Sequence, residues 1–76
     1  MTRDTTHPPA SRATFAKNFR SARKKAGMTQ QDVRDKTGFS LSFISELENG
    51  HCGVNLDNME LLAAAVGVPL WKLLTP

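Results

Sequence analysis

Residues 28–50 read MTQQDVRDKTGFSLSFISELENG and carry the local signals of two short helices joined by a tight turn. Thr29 and Ser40 each precede a helical stretch, where a side-chain hydroxyl can accept hydrogen bonds from the free N–H groups of the first turn. Gly38 lies between the two stretches and adopts a positive φ at little cost, so the chain can reverse direction there. The segment therefore predicts helices over 30–37 and 41–48.

Two helices around a glycine turn at this spacing are the layout of a DNA-binding helix-turn-helix. The agreement goes beyond the generic motif, because MTQQDV, TGFSLSFIS and LENG resemble the Cro/repressor family of prokaryotic regulators, the xenobiotic-response-element type. The resemblance extends over about residues 15–74. It implies a five-helix, lambda-repressor-like DNA-binding domain in which the helix at 41–48 is the recognition helix.

The other helices follow from apolar residues that recur at helical spacing, in the stripes Phe15, Phe19, Ala22, Ala26 and Met59, Leu62, Ala63, Val66. These stripes predict helices over 13–26 and 56–66. Pro69 suits the first position of a short final helix over 69–74, since its missing N–H is not needed there. The alternation typical of strands is absent, so the fold class is predicted to be all-α, with five helices.

Length and composition predict one helix-turn-helix domain at 13–76, preceded by a flexible N-terminal arm at 1–12 that is polar and contains Pro8 and Pro9. Cys52 is the single cysteine, so an intrachain disulfide is impossible, which fits a reducing cytoplasm. No apolar run approaches the roughly eighteen residues of a membrane span, and the N-terminus lacks a signal sequence. We therefore predict a cytoplasmic protein without a membrane partner.

The charge is distributed unevenly along the chain. Residues 1–38 contain nine Lys and Arg against three Asp, whereas residues 39–76 contain one Lys against four Asp and Glu. The first half thus has a net charge of +6 and the second half a net charge of −3. This asymmetry indicates a basic face that contacts a polyanion and a second face with another role.

By the resemblance, the outward side of the recognition helix contacts bases through Leu41, Ser42, Ser45 and Glu46. The serine hydroxyls can reach base edges, and Leu41 can pack on a thymine methyl. Glu46 has two opposed interpretations, because a carboxylate repels phosphate but also accepts a hydrogen bond from cytosine N4. Contacts to the DNA backbone are predicted for Thr29, Gln30, Lys36, Phe43 and Lys17. The resemblance also implies a partly buried ion pair between Arg23 and Glu48.

No arrangement of residues in this sequence indicates an enzyme. There is no glycine-rich phosphate loop and no Ser-His-acid grouping. His51 and Cys52 are adjacent, but a zinc site needs three or four ligands at suitable spacing. We predict no catalytic residues, no metal and no cofactor.

The function predicted from these features is sequence-specific regulation of transcription, with double-stranded DNA and a second copy of the chain as partners. Leu70, Trp71 and Leu74 are the predicted homodimer interface, since relatives of this size commonly dimerise through this end. The alternative is that Trp71 folds back over Met59 and Leu62 and covers a monomeric core.

A rival function of another class is a protein-interaction module, or an antitoxin-type partner protein, with weak or lost DNA binding. The acidic second half and Glu46 favour it. So does Arg34, which stands where the family usually has a small alanine. Thr37 is a further departure, since the family usually has an aliphatic residue there. The basic first half and Gln30 oppose it.

Overall fold

The computed structural model describes residues 10–76, which form five helices: α1 Ala10–Lys25, α2 Gln30–Thr37, α3 Leu41–Glu48, α4 Leu56–Ala65 and α5 Leu70–Leu74. Helix α1 packs against α3 and α5, while α2 packs against α3 and α4. Residues 10–76 contain no strand, so the predicted all-α class is confirmed. None of these five helices has the length and apolar content needed to cross a membrane.

The bounds of α2 and α3 agree with the sequence prediction, but α1 begins at Ala10 rather than at residue 13. Residues 10–12 of the predicted arm thus lie in α1, and residues 1–9 lie outside the described part of the chain. A long-range contact lies at this end of the helix. A Cβ placed on Gly53 would lie only 3.1 Å from Nη2 of Arg12, so this guanidinium lies directly against the loop before α4. Local sequence does not indicate this contact.

Two smaller differences concern the other helix ends. Helix α4 ends at Ala65, with Val66 as its C-cap, and Pro69 is the N-cap of α5 rather than its first residue. Both shifts are within one residue of the prediction and leave the connection between the helices unchanged.

Side chains from all five helices form the core: Phe15, Phe19, Val33, Ile44, Leu47, Leu62, Ala63, Val66 and Leu73. The predicted stripe of α1 is wrong at Ala26, which is exposed, and it missed Ala16, which is buried. Ala26 lies beyond the last residue of α1, so helical periodicity no longer applies to it. Val33 is the one buried residue of α2, which packs against α3 and α4.

Candidate nucleic-acid interface

The connection from α2 to α3 is built from short-range hydrogen bonds. Thr29 Oγ1 accepts from the Asp32 N–H at 3.1 Å, and Asp32 Oδ2 accepts from the Thr29 N–H at 2.8 Å. This reciprocal capping box satisfies two of the free N–H groups at the start of α2. The hydrogen bond from the Thr29 backbone is the main cause of a lowered pKa at the Asp32 carboxyl. Helix α2 therefore has a well-defined start.

The turn itself combines a glycine with a threonine. Gly38 has a φ of +80°, and its N–H donates to the Arg34 carbonyl at 2.8 Å. The Thr37 hydroxyl donates to the Val33 carbonyl at 2.8 Å and accepts from the Phe39 N–H at 3.2 Å. A polar residue at position 37 is thus satisfied within the turn, so this departure from the family pattern leaves the motif intact.

The start of α3 is held equally well. Ser40 Oγ accepts from the Phe43 N–H at 3.1 Å, as an N-cap does. The rings of Phe39 and Phe43 meet edge to face with centroids 5.2 Å apart. This aromatic contact joins the turn to the first turn of α3 and leaves Phe43 half-buried.

A buried ion pair joins α1 to the C-terminal end of α3. Arg23 Nε donates to Glu48 Oε2 at 2.7 Å, and its Nη2 donates to Oε1 at 3.0 Å. The remaining guanidinium nitrogen, Nη1, donates to the Met28 carbonyl at 2.8 Å. The bond to Glu48 raises the pKa of Arg23, so the guanidinium stays charged. The pair implied by the family resemblance is therefore present as a bidentate contact, the strongest geometry for such a pair.

Gln30 takes part in the same network, which the sequence did not indicate. Its Nε2 donates to Glu48 Oε1 at 3.2 Å. Gln30 belongs to α2, so the carboxylate of Glu48 connects three helices. Within residues 10–76 no buried side-chain nitrogen or oxygen lacks a hydrogen-bond partner. Such fully satisfied polar groups favour one orientation of α3.

The orientation of α3 leaves its predicted base-contacting residues on the outer side. Ile44 and Leu47 are buried, whereas Ser42 and Glu46 are exposed. Leu41 and Ser45 are half-buried on the same side, as their helical spacing requires. The four predicted side chains thus lie together on one face. Of the predicted backbone contacts, Thr29, Lys36 and Lys17 are exposed, and Gln30 and Phe43 are half-buried.

The basic side of α1 adjoins the C-terminal end of α3. Lys17, Arg20 and Lys24 line an open groove of about 740 Å³ whose other wall is formed by residues 48–51. Among residues 10–76, no carboxylate forms an ion pair with these three side chains. We call this surface the basic groove. It brings the positive charge of the first half of the sequence next to α3.

Helix α3 ends in a glycine cap that places His51 beside Glu46. Gly50 has a φ of +72°, its N–H donates to the Leu47 carbonyl at 3.1 Å, and the His51 N–H donates to the Glu46 carbonyl at 2.9 Å. The imidazole Nδ1 of His51 then lies 3.3 Å from Glu46 Oε2. Sequence reasoning considered His51 only as a metal ligand and missed this pair. The Asn49-Gly50 stop signal could have revealed it.

The remaining chemistry of the described residues is sparse. No three His, Cys, Asp or Glu side chains of residues 10–76 come together in a way that could hold a metal ion. Burial, followed by the negative charge of Glu46, raises the pKa of the Cys52 thiol. Because the thiolate is the reactive form, this environment disfavours redox or nucleophilic chemistry at Cys52.

Helix α5 presents one large side chain to solvent. Trp71 is 64% exposed and lines an open groove of about 610 Å³ with Ala22, Ala26 and Val66 among its neighbours. The alternative in which Trp71 covers Met59 and Leu62 is therefore wrong. Leu73 fills the core, whereas Leu74, which like Trp71 is predicted for the homodimer interface, is exposed.

The exposed apolar surface also extends beyond the predicted residues. Leu56 and Leu61 of α4 are exposed, which their positions outside the 59–62–63–66 stripe could have indicated.

A family model described as Helix-turn-helix matches residues 19–70, more than half of the chain. The chain belongs to the helix-turn-helix family of transcriptional regulators. It is 37% identical over 59 residues to an uncharacterized HTH-type transcriptional regulator, y4dJ, of Sinorhizobium fredii, which covers 78% of this chain and 77% of that protein. This membership confirms the Cro/repressor type suggested by MTQQDV, TGFSLSFIS and LENG.

Two solved structures share the fold of this helix-turn-helix protein. The hypothetical transcription factor NHTF from Neisseria superposes with a TM-score of 0.83 at 29% identity, covering 100% of this chain and 87% of that chain. The restriction-modification controller protein C.AhdI from Aeromonas hydrophila superposes with a TM-score of 0.79 at 26% identity, covering 86% of this chain and 98% of that chain. The family is a class of DNA-binding transcription regulator and not an enzyme class.

Proposed function

We propose that this protein regulates transcription by binding operator DNA as a homodimer, with α3 entering the major groove. The observation that carries the proposal is the contrast between the two sides of α3. Its inner side is held by the ion pair of Arg23 with Glu48 and by Gln30, while its outer side faces solvent. A recognition helix needs this combination, because base contacts require a fixed helix whose polar side chains are free.

Most of the affinity in this proposal comes from the DNA backbone. Helix α3 contains neither Lys nor Arg, so its base contacts rest on hydroxyls, on Leu41 and on Glu46. The N-terminal ends of α2 and α3 supply N–H groups and positive dipole ends for phosphates, with Thr29, Gln30 and Phe43 nearby. Lys36 of α2 and Lys17 in the basic groove supply positive charges.

We expect binding to duplex DNA to depend steeply on salt. If each monomer neutralises three or four phosphates, a dimer releases about six to eight counterions, and the slope of log K against log salt is of order −6. The measurement is a titration of the protein's own upstream region at several salt concentrations. Lys17→Ala should reduce the steepness by about two for a dimer, because one phosphate contact is lost per monomer.

A folded protein that fails to retard this DNA at low salt would contradict the proposal. Circular dichroism on the same sample verifies the fold. That result would support the rival function, a protein-interaction module, which the acidic second half and the exposed Glu46 favour.

We expect Ser42 and Ser45 to determine sequence preference. Alanine at either position should weaken specific binding by about 1–3 kcal/mol if a base contact is lost, with little change in binding to unrelated duplex. Ser11→Ala is a matched control, since Ser11 is exposed near the start of α1 and does not line the basic groove. Equal losses on specific and unrelated DNA would contradict a role in base recognition.

The genetic context also belongs to the proposal. A restriction-modification controller, a phage Cro-like repressor and an antitoxin are all compatible with a small regulator of this fold. The likeness to C.AhdI supports the first of these. A methyltransferase gene beside the coding sequence would select it, whereas a toxin gene or phage genes would select the others.

A further inference from the structure

Glu46 is an unusual residue for the face on which it lies. It carries the one charge on the outer side of α3, because Glu48, the other carboxylate of this helix, is buried against Arg23. In the DNA complex proposed above, a free carboxylate here would face the phosphates that border the major groove, and like charges repel. The arrangement around Glu46 shows how this repulsion is limited.

The glycine cap of α3 determines which residue stands beside Glu46. Gly50 occupies the left-handed position after the helix, and its N–H and that of His51 donate back to the carbonyls of Leu47 and Glu46. In this type of cap, the residue after the glycine commonly makes an apolar contact with the helix residue to which its N–H donates. Here that contact is an imidazole 3.3 Å from a carboxylate. The backbone therefore brings the two groups together.

The pair is exposed, so its effect on folding is small. The His51 side chain is 65% exposed and the Glu46 side chain 58% exposed. Ion pairs in such positions contribute little to stability because water and salt screen them. Variants at either position should keep the fold, and a change in their DNA binding would then report on the interface.

Among residues 10–76, the charged and titratable groups around His51 come from three elements. They are Glu46 and Glu48 from α3, Lys17, Arg20 and Lys24 from α1 across the basic groove, and Cys52 in the adjoining loop, with Arg12 beside that loop. Glu48 is occupied by Arg23. Cys52 has a raised pKa and stays protonated at neutral pH. His51 is therefore the group that lies directly against the Glu46 carboxylate.

We propose that His51 is a positioning residue for DNA recognition, which in its protonated form holds the Glu46 carboxylate away from phosphate and cancels its charge. This inference rests on the proposed DNA binding. A protonated imidazole attracts the carboxylate, and the pair is then neutral as a unit. A neutral imidazole releases the carboxylate, and the phosphates then repel it in full. The penalty that Glu46 imposes on DNA binding consequently grows as pH rises.

The experiment measures how Glu46→Gln changes affinity for an unrelated duplex at pH 5.5 and pH 8, at one fixed salt concentration. At pH 8 the variant should bind about tenfold more tightly than the natural sequence, from about threefold per monomer of a dimer. At pH 5.5 this difference in affinity between the variant and the natural sequence, called the gap below, should shrink to about twofold or less. In a His51→Gln background the tenfold gap should persist at both pH values, since the switchable charge is gone.

The controls separate this inference from the proposed function. Glu60→Gln removes an exposed carboxylate from α4 by the same chemical change and should produce no gap at either pH. His7 is present in every variant, so any effect it has on DNA affinity is the same in all of them. A gap of equal size at both pH values with His51 present, or no gap at pH 8, would overturn the role of His51 while leaving DNA binding intact. Absence of DNA binding at every pH in all variants would overturn both proposals.

Discussion

Glu48→Ala should lower the free energy of unfolding by about 3–5 kcal/mol. The side chains of Arg23 and Glu48 are only 10% and 4% exposed. Removing the carboxylate leaves a buried guanidinium without its counter-charge, and the desolvation of that charge is not recovered. A domain of this size is stable by only about 4–11 kcal/mol, so the variant should be near the limit of folding. Urea unfolding at low temperature is the appropriate measurement.

Three further variants test the cause of this loss. Glu48→Gln keeps an acceptor for the Arg23 N–H groups and should lose less stability than alanine. The double replacement Arg23→Met with Glu48→Leu removes both charges and should recover most of the stability lost in Glu48→Ala. Apolar residues of similar volume often replace a buried ion pair without loss of stability. Asp35→Ala is the matched control, since Asp35 forms a solvent-exposed ion pair with Arg34. This substitution should change the free energy of unfolding by less than about 1 kcal/mol. A double variant as unstable as Glu48→Ala would contradict the explanation.

The bounds of α2 and α3 are predictable from the sequence, whereas the start of α1 is not. The bounds of α2 and α3 follow from Thr29, Gly38 and Ser40, whose effects reach only three or four residues along the chain. At the start of α1, by contrast, Arg12 lies against Gly53, a contact between distant parts of the sequence. Local signals could not predict it. The same reasoning explains why the bounds of the motif were correct and those of the helix before it were not.

The residues of the candidate site also include some that were predictable from local sequence and some that were not. Helical spacing predicted the common outer face of Leu41, Ser42, Ser45 and Glu46, and the family resemblance supplied the pair of Arg23 with Glu48. The role of Gln30 in that pair was not predictable, since it depends on how α2 crosses α3.

Trp71→Ala should convert the protein from a dimer into a monomer and weaken operator binding. Helix α5 is too short to be stable alone and is docked by Leu73 and by Asn18, whose Nδ2 donates to the carbonyls of Leu73 and Thr75 at 3.1 and 2.7 Å. These contacts do not involve the indole, which is 64% exposed. Truncation should therefore leave the helical signal almost unchanged while removing an exposed aromatic of the type that anchors interfaces.

The symmetry of a dimer makes the expected effect large. A two-fold interface contains Trp71 from both copies, so the substitution removes two side chains. An anchor of this kind contributes about 2 kcal/mol or more. The dimer dissociation constant should then rise roughly a thousandfold. Sedimentation at tens of micromolar measures the change, and a parallel titration of operator DNA should show the loss of affinity that follows when two half-sites are no longer bound by one particle.

Leu56→Ala is the control for this prediction, because Leu56 is an equally exposed apolar residue that lies at the start of α4, outside α5. Its truncation removes apolar surface without touching Leu70, Trp71 or Leu74 and should leave the dimer intact. A natural sequence that sediments as a monomer at tens of micromolar, or a Trp71→Ala variant that remains dimeric, would exclude this interface. If Leu56→Ala alone dissociates the dimer, the two copies associate through α4 and the exposed indole has another role.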